Sequence, residues 1–255
     1  MGLIHPAAAD GFASNADDYE RTRPGYPAAA VAHLAEVLGL GPGVTVVDVA
    51  AGTGKLTRPL LGTGADVIAV EPVAEMRTVL SRALPGTDVR EGTAEHLPVD
   101  DASCDAIAVA QAFHWFDGAV ALREFARVLR PGGGLAVVYN HRDRAVPWLA
   151  AVNRLVEVHR LGTPQQWDGR WREAFTAAGP FTALADATFD NPQVLTPDEL
   201  VGRIRSMSYV GALPPSEQAQ LLDDVAHLVA THPETAGCAA LTIPQRTVVS
   251  TCRRR

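Results

Sequence analysis

The segment that most restricts the fold lies at residues 44–57 and reads VTVVDVAAGTGKLT. Five of its first six residues are aliphatic or β-branched, and an acid, Asp48, stands among them. A short apolar segment of this kind predicts a strand, here over 45–49, that is buried on both faces of a parallel sheet. The small residues and glycines that follow predict a tight turn in which the backbone can approach a ligand closely.

Short apolar segments alternate with helical patterns from residue 28 to residue 139. Strands are predicted over 45–49, 66–70, 87–91, 104–110 and 135–139. Helices are predicted over 28–38, 55–61, 74–83 and 120–129. This alternation predicts βαβ units and a parallel sheet with helices on both faces. Ligands bind beyond the carboxyl ends of strands in such sheets, which selects the loops at 48–55, 71–76, 91–97 and 110–117.

The second half of the chain has a different pattern. Helices are predicted over 146–159, 171–178, 197–208 and 216–230, and strands over 181–189 and 242–251. The two strands would complete a doubly wound, mostly parallel α/β sheet of seven strands. Insertions near 141–170 and 192–240 would form a partial helical lid.

Charge and composition exclude several classes of partner. The net charge of −7 argues against a nucleic-acid partner, which usually requires a basic surface. The sequence has no apolar run of about 18 residues, so no membrane span is expected. Three widely spaced cysteines, no secretory signal pattern and no cluster of metal ligands lead us to expect a cytoplasmic protein without a metal.

The glycine loop admits three interpretations. A phosphate-binding P-loop requires GxxxxGK followed by Ser or Thr, but Leu56 follows Lys55 and Val49 occupies the position of the first glycine. A dinucleotide loop requires GxGxxG, and Thr57 stands at the third glycine. The third interpretation, a cofactor with an amino acid and a nucleoside but no pyrophosphate, fits best.

The third interpretation agrees with a resemblance to the cofactor loop of a known protein family. The order Asp48, Ala50, Gly52, Gly54 resembles the cofactor loop of class I S-adenosylmethionine-dependent methyltransferases, with Ala50 at the usual first glycine. The resemblance implies a Rossmann-like fold, with a closing segment and cofactor-binding core in residues 1–140. Residues 141–255 would complete the sheet and carry the lid, and the whole chain would form one compact domain.

The resemblance also implies the cofactor contacts. Glu71 at the end of the second predicted strand would bind the ribose hydroxyls, because a carboxylate can accept two hydrogen bonds. GTAEHLP at 92–98 resembles the loop beside the adenine, and the segments at 12–27 and 111–117 are similar to those of trans-aconitate methyltransferases. The predicted cofactor-binding residues are Tyr19, Arg23, Asp48, Ala50, Ala51, Gly52, Gly54, Glu71, Pro72, Met76, Thr93, Ala94, Glu95 and Gln111.

The loop at 111–117, with the sequence QAFHWFD, is expected to face the reacting centre. His114 is the candidate catalytic base, because an unperturbed imidazole titrates near neutral pH; the alternative is a packing role beside Trp115. The predicted substrate-binding residues are Trp115, Tyr139, Arg205 and Tyr209.

The function expected from these features is methyl transfer to an O, N or C atom of a small molecule, with carboxylate or phenol favoured. Monomer and homodimer both stay open. The alternatives are a protein that binds S-adenosylmethionine without transferring methyl, and a nicotinamide-dependent reductase, which the missing third glycine disfavours.

Overall fold

The computed structural model describes residues 20–160, 162, 164–176 and 178–255. Its strands are β1 (Thr45–Val49), β2 (Asp66–Val70), β3 (Asp88–Arg90), β4 (Cys104–Ala110), β5 (Leu129–Arg142), β6 (Ala185–Asp190), β7 (Gln193–Leu195), β8 (Leu241–Ile243) and β9 (Gln245–Arg253). Its helices are α1 (Ala28–Leu38), α2 (Thr57–Leu61), α3 (Ala74–Ala83), α4 (Gly118–Val128), α5 (Pro147–Glu157), α6 (Pro197–Arg205), α7 (Ser208–Gly211) and α8 (Pro215–Thr231). Short 3₁₀ helices cover Phe113–Trp115 and Arg170–Ala174.

Seven strands form one sheet in the order β3-β2-β1-β4-β5-β9-β6. Neighbouring strands from β3 to β5 pair in parallel, and β9 pairs antiparallel with both β5 and β6. The predicted fold class, a mostly parallel α/β sheet of seven strands, is therefore confirmed. The central strands are buried because helices cover both faces: one apolar cluster includes Phe125 of α4, and another includes Leu34 of α1.

The insertions that were predicted as a lid form a cap with its own apolar core. The cap comprises α5, α6, α7, α8 and the two-stranded β7–β8 sheet. Its buried residues, among them Trp148, Leu200, Ile204 and Val225, form a cluster separate from those of the main sheet. A cap with a core of this kind can present side chains to the sheet edge from a defined position.

Several predicted boundaries were wrong, mostly in the second half. The strand predicted over 242–251 is two strands, β8 and β9, divided at Pro244, which cannot donate a backbone hydrogen bond. The helix predicted over 197–208 ends at Arg205, and a separate short helix follows. The segment 171–178 holds a 3₁₀ helix instead of an α-helix. The short strand β7 was not predicted.

Candidate active site

The glycine loop after β1 has the backbone conformation that its small residues suggested. Ala50, Gly52 and Gly54 all have positive φ, at 57°, 59° and 90°. Ala50 therefore occupies a left-handed conformation that glycine adopts without cost. A methyl group added at Gly52 would meet no atom within 4 Å, so this part of the loop borders open space. Ala51 is buried, and its N–H donates to the carbonyl of Val70.

Glu71 ties the glycine loop to the end of β2. Its Oε2 accepts the Gly52 N–H at 2.8 Å, and its Oε1 accepts the Val73 N–H at 2.9 Å. Glu71 is 5% exposed, and burial raises the pKa of its carboxyl. Each carboxylate oxygen has a second lone pair, so the group can accept further hydrogen bonds from a diol.

The neighbours of Glu71 hold the loop in place. The Arg77 guanidinium donates to the carbonyls of Glu71 and Pro72 at 2.9 and 2.7 Å. Pro72 is half-buried, while Met76 in the first turn of α3 is buried.

Asp48 lies near the end of β1 and is 1% exposed. Its Oδ2 accepts the Thr57 hydroxyl at 2.6 Å, whereas its Oδ1 is buried without a hydrogen-bond partner. Burial raises the pKa of Asp48 to about 7; the Thr57 hydrogen bond opposes this change, and the Glu71 charge adds to it. A donor from a ligand would satisfy Oδ1 and favour the ionised form.

The loop at 92–98 begins with a paired turn. The backbones of Thr93 and His96 form two hydrogen bonds, and Ala94 between them is buried. Glu95 Oε1 accepts the Asp117 N–H at 3.0 Å, which joins this loop to the loop after β4. The hydroxyl of Thr93 is buried without a hydrogen-bond partner.

Gln111 directly follows β4 and, like Ala50, has a positive φ, at 59°. Its Nε2 is buried without a hydrogen-bond partner. Polar side-chain atoms of Asp48, Thr93 and Gln111 are therefore unsatisfied at the carboxyl ends of β1, β3 and β4. Buried polar groups are normally paired. This set of two acceptor-capable oxygens and one amide suits a ligand with both donors and acceptors, such as an amino acid joined to a nucleoside.

A pocket of about 130 Å³ lies between this sheet edge and the cap. The sheet side contributes Lys55, Gln111, His114, Trp115, Asn140 and Arg142. The cap side contributes Arg203, Met207, Ser208 and Tyr209, and the segment before α1 contributes Arg23, Pro24 and Tyr26. Arg160, Pro164, Gln166 and Trp167 complete the lining.

The segment before α1 is fastened over this pocket from two sides. Arg23 donates from Nε to Ser206 Oγ at 2.9 Å and from Nη2 to the Ser206 carbonyl at 3.1 Å. The Gly25 carbonyl accepts from the Asn140 amide at 3.1 Å. Tyr19, which was predicted to contact the cofactor, lies outside the described residues.

His114, which lines the pocket, contacts Tyr139, which lies outside the lining. Both the backbone N–H and Nδ1 of His114 lie within hydrogen-bonding distance of Tyr139 Oη, at 3.0 and 3.1 Å. Burial, assisted by the nearby charge of Arg160, lowers the pKa of His114 to about 3. General bases work best with a pKa near the working pH, so this environment favours the packing and orienting role. Tyr139 is 1% exposed and does not line the pocket.

The arginine that α6 presents to the pocket is Arg203 and not Arg205. Arg203 is 3% exposed and lines the pocket, whereas Arg205 is half-buried and lies outside the lining. The two positions differ by 200° around the helix axis at 3.6 residues per turn, or about 100° each, so only one can face the sheet. Sequence reasoning also missed Arg142 and Arg160, since arginines on a strand end and in a loop carry no periodic signal.

Comparison with known proteins supports the family that the glycine loop resembles. A family model described as a methyltransferase domain matches residues 47–137. The chain is 41% identical over 237 residues to an uncharacterized methyltransferase of Mycobacterium tuberculosis, and the match covers 93% of each chain. The chain belongs to the class I methyltransferases.

Solved structures extend this comparison to the fold. A provisionally assigned type II methyltransferase from Anaeromyxobacter dehalogenans is 26% identical to this methyltransferase, with a TM-score of 0.62 over 91% of this chain and 96% of that one. The [4+2]-cyclase SpnF is 17% identical to this chain. It has a TM-score of 0.61, and the match covers 100% of this chain and 99% of the cyclase chain. The cyclase shows that a protein with a different reaction shares this fold.

Within the described residues, the helices are all too short or too polar to span a lipid bilayer. No group of three or more His, Cys, Asp or Glu side chains in the same part of this methyltransferase is arranged to hold a metal ion.

Proposed function

We propose that the chain transfers a methyl group from S-adenosylmethionine to an O, N or C atom of a small molecule, with a carboxylate or phenol oxygen favoured. The observation that carries the proposal is the set of unsatisfied polar atoms at the ends of β1, β3 and β4, beside the buried carboxylate of Glu71. The class I family and fold support the use of this cofactor in general.

Each of these groups has a specific role in the proposal. Glu71 would bind the ribose hydroxyls, Asp48 the ammonium group, and Thr93 with Ala94 the adenine. Gln111 would contact the methionine part, and Arg23 its carboxylate through a charge-assisted hydrogen bond. S-adenosylmethionine supplies an activated methyl group, so the main tasks of the protein are alignment of the acceptor and exclusion of water.

The pocket between sheet and cap supports a small acceptor. Its volume of about 130 Å³ is well below the roughly 300–1,000 Å³ typical of ligand clefts. The acidic chain, with a net charge of −7, also disfavours a nucleic-acid acceptor. An ionised acceptor oxygen needs no general base, which agrees with the low pKa of His114.

Calorimetric titration with S-adenosylmethionine and S-adenosylhomocysteine tests the cofactor site. We expect micromolar binding that Glu71→Ala weakens at least tenfold, or about 1.4 kcal/mol. Glu71→Gln, which preserves the size of the side chain, distinguishes loss of the second acceptor oxygen from collapse of the loop. Glu36→Ala is the control, because Glu36 is an exposed acid on α1 and does not belong to the loops at the carboxyl ends of the strands.

Turnover decides between the two functions that bind the cofactor. A panel of small acids, phenols and amines, assayed for release of S-adenosylhomocysteine, is expected to identify a methylated acceptor. Tight binding without methylation of any member would favour the alternative, a protein that binds S-adenosylmethionine without transferring methyl. Absence of cofactor binding would overturn the proposal.

A further inference from the structure

We propose that the acceptor carries at least two negative charges, as ionised carboxylates or phosphate, and that Arg142 and Arg203 bind them in the pocket under the cap. That the ligand of this pocket is the methyl acceptor rests on the proposed function. That the pocket binds anions rests on the positions and contacts of its side chains.

Three unsatisfied hydrogen-bond donors belong to neighbouring side chains, of which Arg142 and Arg203 line the pocket. Arg142 Nη1, Arg203 Nε and Gln245 Nε2 are all buried without a hydrogen-bond partner. Arg142 and Gln245 are opposite each other in the β5–β9 ladder, and Arg203 Nη2 donates to Gln245 Oε1 at 3.3 Å. All three unsatisfied atoms are donors, so the missing partner is an acceptor.

The charged side chains of the pocket are cations and would likewise favour a negatively charged ligand. Its lining contains four arginines and one lysine, and none of its described lining residues is Asp or Glu. Lys55 has an acidic neighbour outside the lining, with its Nζ 3.4 Å from Glu20 Oε2. Arg203 is buried and Arg142 is half-buried, and neither forms an ion pair with another described residue. Two such cations close together are unfavourable unless a counter-charge binds.

Among the described residues, Arg203 has no acidic partner. It is 3% exposed, and its Nη1 and Nη2 donate to the neutral amides of Gln193 and Gln245. Burial, and after it the charges of Arg142 and Arg23, lower the pKa of Arg203 well below its usual value. Burial likewise lowers the pKa of Arg142, to about 10. The two guanidiniums therefore lie in surroundings that oppose their charge.

The surroundings also fix the position of these cations. Gln193, which accepts from Arg203, donates to the Thr22 carbonyl at 2.8 Å and so links α6 to the segment before α1. Arg160 is stacked with its Cζ 3.9 Å from the Trp167 ring centre and 4.9 Å from that of Tyr209. Positioned guanidiniums of this kind suit the bidentate recognition of carboxylate or phosphate.

If Arg23 binds the methionine carboxylate and Asp48 binds the ammonium group, those four charges compensate one another. Arg142 and Arg203 still face the acceptor, and the sulfonium of the cofactor adds one further positive charge. A neutral acceptor would leave the charges of Arg142 and Arg203 without a counter-charge, and a monoanion would compensate only one of them. An acceptor with two or more charges satisfies both the donors and the electrostatics.

The test is calorimetric titration of the full chain saturated with S-adenosylhomocysteine. Propane-1,2,3-tricarboxylate is the carboxylate probe, glycerol 3-phosphate is the phosphate probe, and propane-1,2,3-tricarboxamide is the neutral probe of matched shape. We expect at least one anion to bind and the triamide to bind at least tenfold more weakly. Binding of one anion and not the other identifies the anionic group.

Two variants separate ligand binding from a structural role. Arg142→Gln should weaken anion binding at least tenfold. Since it removes a partly buried charge that has no acidic partner among the described residues, it should also raise the unfolding midpoint of the ligand-free protein by roughly 2–4 °C. Arg142→Lys keeps a charge and should retain part of the affinity. Arg154→Gln removes an exposed arginine outside this pocket and should change neither quantity.

The outcomes are distinct for the two proposals. Binding of S-adenosylhomocysteine without binding of either anion, or a triamide that binds as well as the anions, would overturn this inference and leave the proposed function intact. A lower midpoint for Arg142→Gln with unchanged anion affinity would also overturn it. Anion binding without S-adenosylhomocysteine binding would support the anion pocket and count against the proposed function.

Discussion

Thr57 donates its hydroxyl to Asp48 Oδ2 at 2.6 Å, and both side chains are buried next to the glycine loop. Thr57 stands where a dinucleotide-binding loop would have its third glycine. The same residue that excludes a dinucleotide loop therefore stabilises the ionised form of the acid at the end of β1. Burial outweighs this hydrogen bond, because the pKa of Asp48 is still raised to about 7.

The raised pKa of Asp48 predicts a pH-dependent effect on stability. The folded state holds the Asp48 proton more tightly than the unfolded state, in which the pKa of the side chain is 3.8. The free energy of unfolding contributed by Asp48 is therefore greatest below pH 3.8 and is lost as the pH rises through 7. We expect the stability of Asp48→Asn relative to the native chain to increase by up to about 4 kcal/mol between pH 4 and pH 7.

Urea unfolding at several pH values measures this difference. Asp66→Asn, which changes an exposed acid at the start of β2, should show no such increase. The stabilised Asp48→Asn variant should also bind S-adenosylmethionine at least tenfold more weakly. A stability difference independent of pH would contradict the assigned environment of Asp48.

The sequence predicted those parts of the fold that local patterns determine. The bounds predicted for β1, β2 and β4 agree with the structure at every residue, because each is a short apolar segment between turns. Glu71 was predicted at the end of β2, and it lies there, bonded to the glycine loop. Each of these predictions needed only the alternation of strands and helices, which places strand ends at one edge of the sheet.

The cap could not be predicted in the same way. Its helices pack against one another and against β7 and β8, so their ends depend on contacts distant in sequence. The pattern over 197–208 gave no sign of the break after Arg205. Which arginine of α6 faces the sheet depends on how this helix packs in the cap, and the pattern does not determine that. The cationic pocket was missed because its arginines come from a strand end, a loop and a helix.

Ala50 provides a test of strain in the glycine loop. Its φ of 57° costs a non-glycine residue about 1–2 kcal/mol, whereas glycine adds about 0.5–1 kcal/mol of entropy to the unfolded chain. We expect Ala50→Gly to leave the free energy of unfolding unchanged or raise it by up to about 1.5 kcal/mol. Ala51→Gly, at the next position but without positive φ, should lower it by about 1 kcal/mol. Equal losses for both variants in urea unfolding would argue against strain at Ala50.

His114 provides a test of base catalysis. With its pKa lowered to about 3 and its Nδ1 bonded to Tyr139, it should not titrate in the rate profile between pH 5 and pH 9. We expect His114→Asn, which can still hydrogen-bond to Tyr139, to keep the methylation rate within tenfold of the native rate. A general base usually contributes about 10²–10⁴-fold, so a larger loss with a change in the pH profile would restore the catalytic role.

Tyr139→Phe tests how much the contact between His114 and Tyr139 contributes to stability. It removes a buried hydroxyl that the His114 backbone N–H and Nδ1 both contact, at 3.0 and 3.1 Å. Since this leaves a buried donor unsatisfied, we expect a loss of about 1–3 kcal/mol in the free energy of unfolding. Unchanged stability would show that the contact makes no net contribution to folding.

Gly92 determines how closely the loop at 92–98 packs on β2. A methyl group at this position would lie 2.6 Å from Pro98 Cδ and 2.9 Å from Val70 Cγ1, and neither the proline ring nor a core valine can move away without cost. We therefore expect Gly92→Ala to lower the free energy of unfolding by about 1–3 kcal/mol. The displaced loop should also weaken binding of S-adenosylmethionine, because Thr93 and Ala94 follow directly. Gly41→Ala is the control, since a methyl group there meets no atom within 4 Å; equal effects of the two substitutions on both measurements would contradict this account of the loop.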